Sequence, residues 1–184
     1  MPEIFDTGAL VRPAFDDAQF TPTRWSSAAD KATFANALCR FVAADCPRKL
    51  FTKALYDRLS LTFGHIAHYN LHGFFETFFA DTSGKVAFLE ETMTWACFGD
   101  PASTYCDVER AIIARLRACD LLNAYRRRHA SEQERAERAL LHTLQSKYRD
   151  PAEAAQKATP LIVCSATTAR RPAPVQPPAQ ASLL

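Results

Sequence analysis

The sequence predicts an all-α domain, and three observations lead to that expectation. Apolar side chains recur at three- and four-residue spacing through much of the first 150 residues, the rhythm that lines one face of a helix. Glycine is scarce, five in 184 residues, while Ala, Leu and Arg abound, a balance that favours helix over sheet. Ser-Ser and Asp-Pro pairs stand where helices should begin, as caps and first-turn prolines do. The length suits one domain, and 13 phenylalanines supply a large aromatic core. The expected architecture is a single-domain bundle of five or six helices spanning residues 26–160. An irregular N-terminal arm covers residues 1–25. A Pro-rich tail follows over 161–184, disordered from about residue 166.

In order along the chain, residues 1–25 carry Ile4, Phe5, Leu10, Val11, Phe15, Phe20 and Trp25, interrupted by Gly8, Pro13 and Pro22. Those breakers stop a long helix, so the arm is expected to lay its aromatics over the core. The first helix opens at Ser26 or Ser27, carries Phe34, Leu38, Phe41 and Val42, and ends at Cys46-Pro47, because proline disfavours a helical residue before it. A second helix is predicted from Arg48 to His72. Its buried stripe is Phe51, Leu55, Leu59, Phe63 and Ile66, Gly64 weakens its middle, and Asn70 and Gly73 mark its end, with Gly73 suited to a left-handed terminal residue.

Phe74, Phe75, Phe78 and Phe79 fall on one side of a short helix. Each would bury on the order of 150 Å² or more, so this cluster is the expected centre of the core. An exposed patch awaiting a partner is the other reading. Asp81-Thr82-Ser83-Gly84 is a turn. A third long helix then places Val86, Leu89, Met93 and Cys97 on one side and closes at Gly99. Asp100-Pro101 starts a helix that runs to Arg128 with Val108, Ile112, Leu116 and Cys119 on one face. Ser131 and Glu134 have the spacing of a capping box and open a further helix bearing Leu140, Leu144 and Tyr148. Asp150-Pro151 starts a last short helix before Pro160. The tail matches a polyproline ligand pattern at Arg171, Pro174 and Pro177, read as tail rather than docking motif.

The amino terminus lacks the basic and apolar regions of a signal peptide. No apolar run approaches the roughly 18–20 residues that cross a bilayer. The six cysteines form no Cys-x-x-Cys pair. The expected location is therefore the cytoplasm, with reduced thiols acting as small core hydrophobes, and no membrane partner is expected.

Net charge is +2, too small to identify a partner, but its distribution is uneven. Residues 76–109 hold seven acids (Glu76, Asp81, Glu90, Glu91, Asp100, Asp107, Glu109) against Lys85 alone, whereas 110–149 are strongly basic. Such asymmetry steers a partner, or else the two segments face each other or water.

Within the basic segment, Arg126, Arg127 and Arg128 form a cluster, with Arg117 on the preceding stretch and Tyr125 and His129 beside it. Arginine forks suit phosphate, and Tyr125 could stack on a base. No helix-turn-helix or RNA-binding motif accompanies them, and a solvated surface paired with acids is the alternative. His65, His68 and His72 are spaced i, i+3 and i+7 beside Tyr69. On one helix they would cluster within roughly 60° and could bind zinc or another divalent transition metal or act as acid or base. The about 10.5 Å rise from His65 to His72 prevents those two from sharing a metal on a straight helix. Helix-end capping is the alternative role. No Ser-His-Asp order, phosphate loop or spaced acid pair is visible.

The runs FGHIAHYNLHGFFETFF and GDPASTYCDVERAI resemble stretches of small proteins carried by bacterial plasmids and integrative elements, over about residues 50–115. The resemblance implies a mobile-element accessory role, such as interference with a host defence or regulation of transfer, and assigns no catalytic residue. Three functions are thus expected. The first is a non-enzymatic binding or regulatory protein acting through its charged surface on nucleic acid or a nucleic-acid-handling protein. The second is a metal-dependent or acid–base enzyme built on the three histidines. The third is a self-associating protein whose acidic helix faces the basic helix of another copy.

Overall fold

The computed structural model describes residues 7–66, 70–95 and 98–148. These residues form seven α-helices and two short 3-10 turns, with no strand among them. The helices are α1 (Gly8–Val11), α2 (Ala28–Ala43), α3 (Lys53–Thr62), α4 (Leu71–Phe78), α5 (Thr82–Thr94), α6 (Cys106–Ala118) and α7 (Leu121–Lys147); the 3-10 turns are Asp17–Gln19 and Arg48–Leu50. Two compact units are distinguished, 1–141 and 142–184. In the second, Leu144 and Tyr148 are exposed. The Asp150-Pro151 start, the polyproline match and the tail lie outside the described residues.

The helix α2 is the one around which the first unit is arranged, packing against α1, α3 and α6. It begins at Ser27, whose hydroxyl accepts from the Asp30 N–H while Asp30 accepts from the Ser27 N–H, a reciprocal cap. Its expected stripe of Phe34, Leu38, Phe41 and Val42 is buried. It ends at Ala43, four residues before Pro47. The Cys46 N–H reaches the Phe41 carbonyl and the Asp45 N–H reaches that of Val42, a Schellman closure. Asp45 and Cys46 take positive φ of 66° and 55°.

The arm is partly helical, and most of its described apolar groups pack as expected. Leu10, Phe15 and Phe20 are buried. Asn36 of α2 holds the arm by donating to the Phe15 carbonyl and accepting from the Phe15 N–H. Trp25 departs from the expectation at 76% exposure. Ile4 and Phe5 lie outside the described residues.

The helix predicted over 48–72 is divided. The Arg48–Leu50 turn precedes α3, which Thr52 caps by accepting from the Leu55 N–H. α3 stops at Thr62, and α4 starts afresh at Asn70, whose side chain accepts from the Gly73 N–H. Asn70 therefore opens a helix rather than closing one. The whole stripe from Phe51 to Ile66 is still buried, because a single turn after α3 keeps Phe63 and Ile66 pointing inward.

The four phenylalanines of α4 and its end are all buried and meet Phe41, Phe51 and Phe88 at ring-centroid distances of 4.9–6.2 Å. They form the centre of the core rather than a patch awaiting a partner. Asp81 caps α5 through the Gly84 N–H, so the expected turn is the first turn of that helix. The buried face of α5 is Gly84, Lys85, Phe88, Leu89 and Thr92, rotated from the expected Val86–Met93 line; Cys97 lies outside the described residues. Asp100-Pro101 forms a loop rather than a helix start, and α6 begins at Cys106. The helix expected to run to Arg128 breaks at Asp120, where φ is 49°. By contrast α7 passes through Ser131 without interruption.

Candidate ligand cleft between α2 and α3

Dividing the second predicted helix also divides the histidines. His65 sits in the turn after α3 and His72 in the first turn of α4, so the single face at i, i+3 and i+7 does not form. The His65 ring lies 6.3 Å from that of Trp95. Nδ1 of His72 is 3.2 Å from Arg48 and 3.8 Å from Glu76. His68 and Tyr69 lie outside the described residues. Among the described residues no group of three His, Cys, Asp or Glu side chains is placed to hold a metal ion.

The arginines expected to meet a partner also engage the protein's own acceptors, with Arg126 and Arg127 about half exposed. Nε and Nη2 of Arg126 both donate to Glu90. Arg127 lies 3.7 Å from the Asp120 carboxylate. Arg117 donates to the Met93 carbonyl. Arg128 donates to Asp45 and Glu132. The Arg126–Glu90 pair joins the basic segment to the acidic one. Tyr125 is only 2% exposed and offers no ring face to a base. Its hydroxyl donates to Asp45 at 2.8 Å, and burial pushes its pKa up, with the Cys46 and Asp45 charges adding.

A concave feature of the first unit lies elsewhere. A cleft of about 490 Å3 runs between α2 and the segment from Leu50 to Arg58. From α2 it is lined by Asp30, Thr33, Phe34, Ala37, Arg40 and Phe41. These positions recur at three- and four-residue spacing and so share one helix face. The other wall is Leu50, Thr52, Ala54, Leu55 and Arg58. Ala37 leaves a notch between Phe34 and Phe41, and Ala54 is equally small on the facing wall. The floor is therefore aromatic and aliphatic, and the charged groups are confined to Asp30, Arg40 and Arg58.

The three charges differ in how far they are occupied. Nη1 of Arg58 donates to the Ser26 hydroxyl at 2.9 Å and to the Tyr105 hydroxyl, and Tyr105 in turn donates to Ser26 at 2.7 Å. Tyr105 is held by the loop before α6, which a buried ammonium fastens to α2. Lys31, 0% exposed, donates to the Pro101 and Thr104 carbonyls and to Asp107, each at 2.9 Å. Asp30 is occupied by the cap of α2; the Ser27 hydroxyl and N–H hold its carboxyl below the ordinary value, with the nearby charge of Arg58 adding. Arg40 uses only Nε, towards the Asn36 carbonyl at 3.2 Å. Among the described residues no carboxylate pairs with it.

Compared with family models, with curated proteins and with solved structures, the chain matches none. The cleft holds no histidine or cysteine among its lining residues, and its one carboxylate caps α2, which leaves an apolar groove with Arg58 near that cap and Arg40 at the other end. Neither Arg40 nor Arg58 stands out in the sequence. Each lies beside an apolar stripe, as surface arginines often do, and the space between their helices has no local signal.

Proposed function

We propose that this chain is a non-enzymatic ligand-binding protein and that the cleft between α2 and α3 is its site. The observation that carries this reading is the combination of size and lining. About 490 Å3 lies within the range of about 300–1,000 Å3 typical of small-molecule pockets. Apolar walls with a few placed polar groups are what such pockets share. The polar network of Ser26, Arg58, Tyr105 and Lys31 holds one end of the cleft in shape, and a preformed site loses less entropy on binding.

No helix among the described residues is long and apolar enough to cross a membrane, and binding of a ligand from solution does not require one. The nucleic-acid reading lacks comparable support, since Arg126 and Arg128 already meet carboxylates. The test is to fill the notch. Ala37→Trp should abolish enhancement of an environment-sensitive hydrophobic dye while the unfolding temperature stays within a few degrees. Dye binding that survives both this change and Ala54→Trp would remove the cleft as the site.

A further inference from the structure

The cleft has a direction, and the direction points to a ligand class. Asp30 and Arg40 are ten residues apart on α2, about 15 Å along the helix axis at 1.5 Å per residue. Arg58 belongs to the Asp30 end, because it binds Ser26 just before α2 and its charge acts on Asp30. That end is electrically balanced, cation beside carboxylate. The opposite end carries Arg40, whose terminal nitrogens make no hydrogen bond among the described residues and whose charge no described carboxylate offsets. Phe34 and Ala37 lie between these ends on α2, Phe41 adjoins Arg40, and Leu55 belongs to the facing wall.

We propose that the cleft takes a free medium-chain monocarboxylate, with its carboxylate on Arg40 and its alkyl chain lying along α2 towards Phe34. This rests on the cleft being the binding site. A planar guanidinium receives a carboxylate through two parallel hydrogen bonds, which the unengaged Nη1 and Nη2 of Arg40 can supply. A cationic head group would meet Arg40 with repulsion. An alcohol would forgo the charge-assisted pair. The balanced end gives a second charge little to gain, which favours one carboxylate over two.

Isothermal titration of the full chain with decanoate, decanol and decylamine tests the assignment. Decanoate should bind with one site and more tightly than decanol, and decylamine should bind least. Arg40→Gln should weaken decanoate about ten-fold or more while leaving decanol unchanged. Arg40 is exposed and holds no other element, so the variant keeps the fold; an unaltered circular dichroism spectrum confirms that. If Ala37→Trp abolishes decanol and decanoate binding but Arg40→Gln changes neither, the cleft stands as the site and the carboxylate assignment falls. If all three probes bind equally, the assignment also falls. If none binds and the hydrophobic dye ignores Ala37→Trp, both readings fall together. Sedimentation with anionic phospholipid vesicles, without titration by monomeric decanoate, would transfer the surface to a membrane and overturn the free-acid proposal.

Discussion

Asp45 occupies a backbone position that glycine usually fills. A left-handed residue with a Cβ costs roughly 1–2 kcal/mol, and here the side chain offsets that cost. Its carboxylate accepts from Lys85, Tyr125 and Arg128 at 2.8, 2.8 and 3.1 Å, joining the end of α2 to α5 and α7. Burial pushes the Asp45 carboxyl up, but the three hydrogen bonds outweigh it and hold the pKa below the ordinary aspartate value. A carboxyl lowered in the folded state contributes stability that is complete above the unfolded pKa, about 3.9. That stability is lost as pH falls through the folded value. Asp45→Asn tolerates the same backbone and removes the charge, leaving the buried Lys85 ammonium without its anion. We expect a loss of about 2–3 kcal/mol at pH 7 by urea unfolding. The gap to the parent protein should narrow as pH drops below about 4. A gap independent of pH would show that the charge is not what Asp45 contributes.

At the scale of elements, the periodic apolar positions were legible and the breaks between helices were not. The stripe Phe51–Ile66 and the four phenylalanines are buried as the spacing indicates. Yet Asn70 and Asp100 both have residues on either side that suit a helix end or a helix start, and sequence cannot rank them. Asn70 became a start because its side chain reaches the Gly73 N–H. Asp120 ends α6 with no glycine or proline to announce it. Gly84 belongs to this scale too. A Cβ there would run into the Thr77 carbonyl oxygen and lie 3.1 Å from the Phe78 carbonyl carbon, so α4 and α5 approach closely only because the side chain is absent. Gly84→Ala would normally help a helix by about 1 kcal/mol. Here it should destabilise by about 1–3 kcal/mol through overpacking, seen as a lower thermal midpoint. A raised midpoint would contradict the close approach.

In the molecule as a whole, burial decides which groups remain available. Burial pushes the Cys39 thiol up to about 11 and the Cys46 thiol up to about 12. The thiolate is the reactive form, so neither should be alkylated at pH 8 in the native protein, and both should be in urea, as read by mass spectrometry. Rapid native labelling of either would mean that the core opens.

The sequence by itself determined that the chain is helical, which faces are greasy and that the phenylalanines form the core, because those follow from local periodicity and hydrophobic burial. Only the tertiary structure decided that the arginines of α7 meet Glu90 and Asp45, that His65 falls in the turn after α3 while His72 stands on α4, and that Arg40 is left at one end of an apolar cleft. The reason is physical. A pairing of charges and the space between two helices depend on how elements far apart in the chain are packed, and no single stretch of residues encodes that distance.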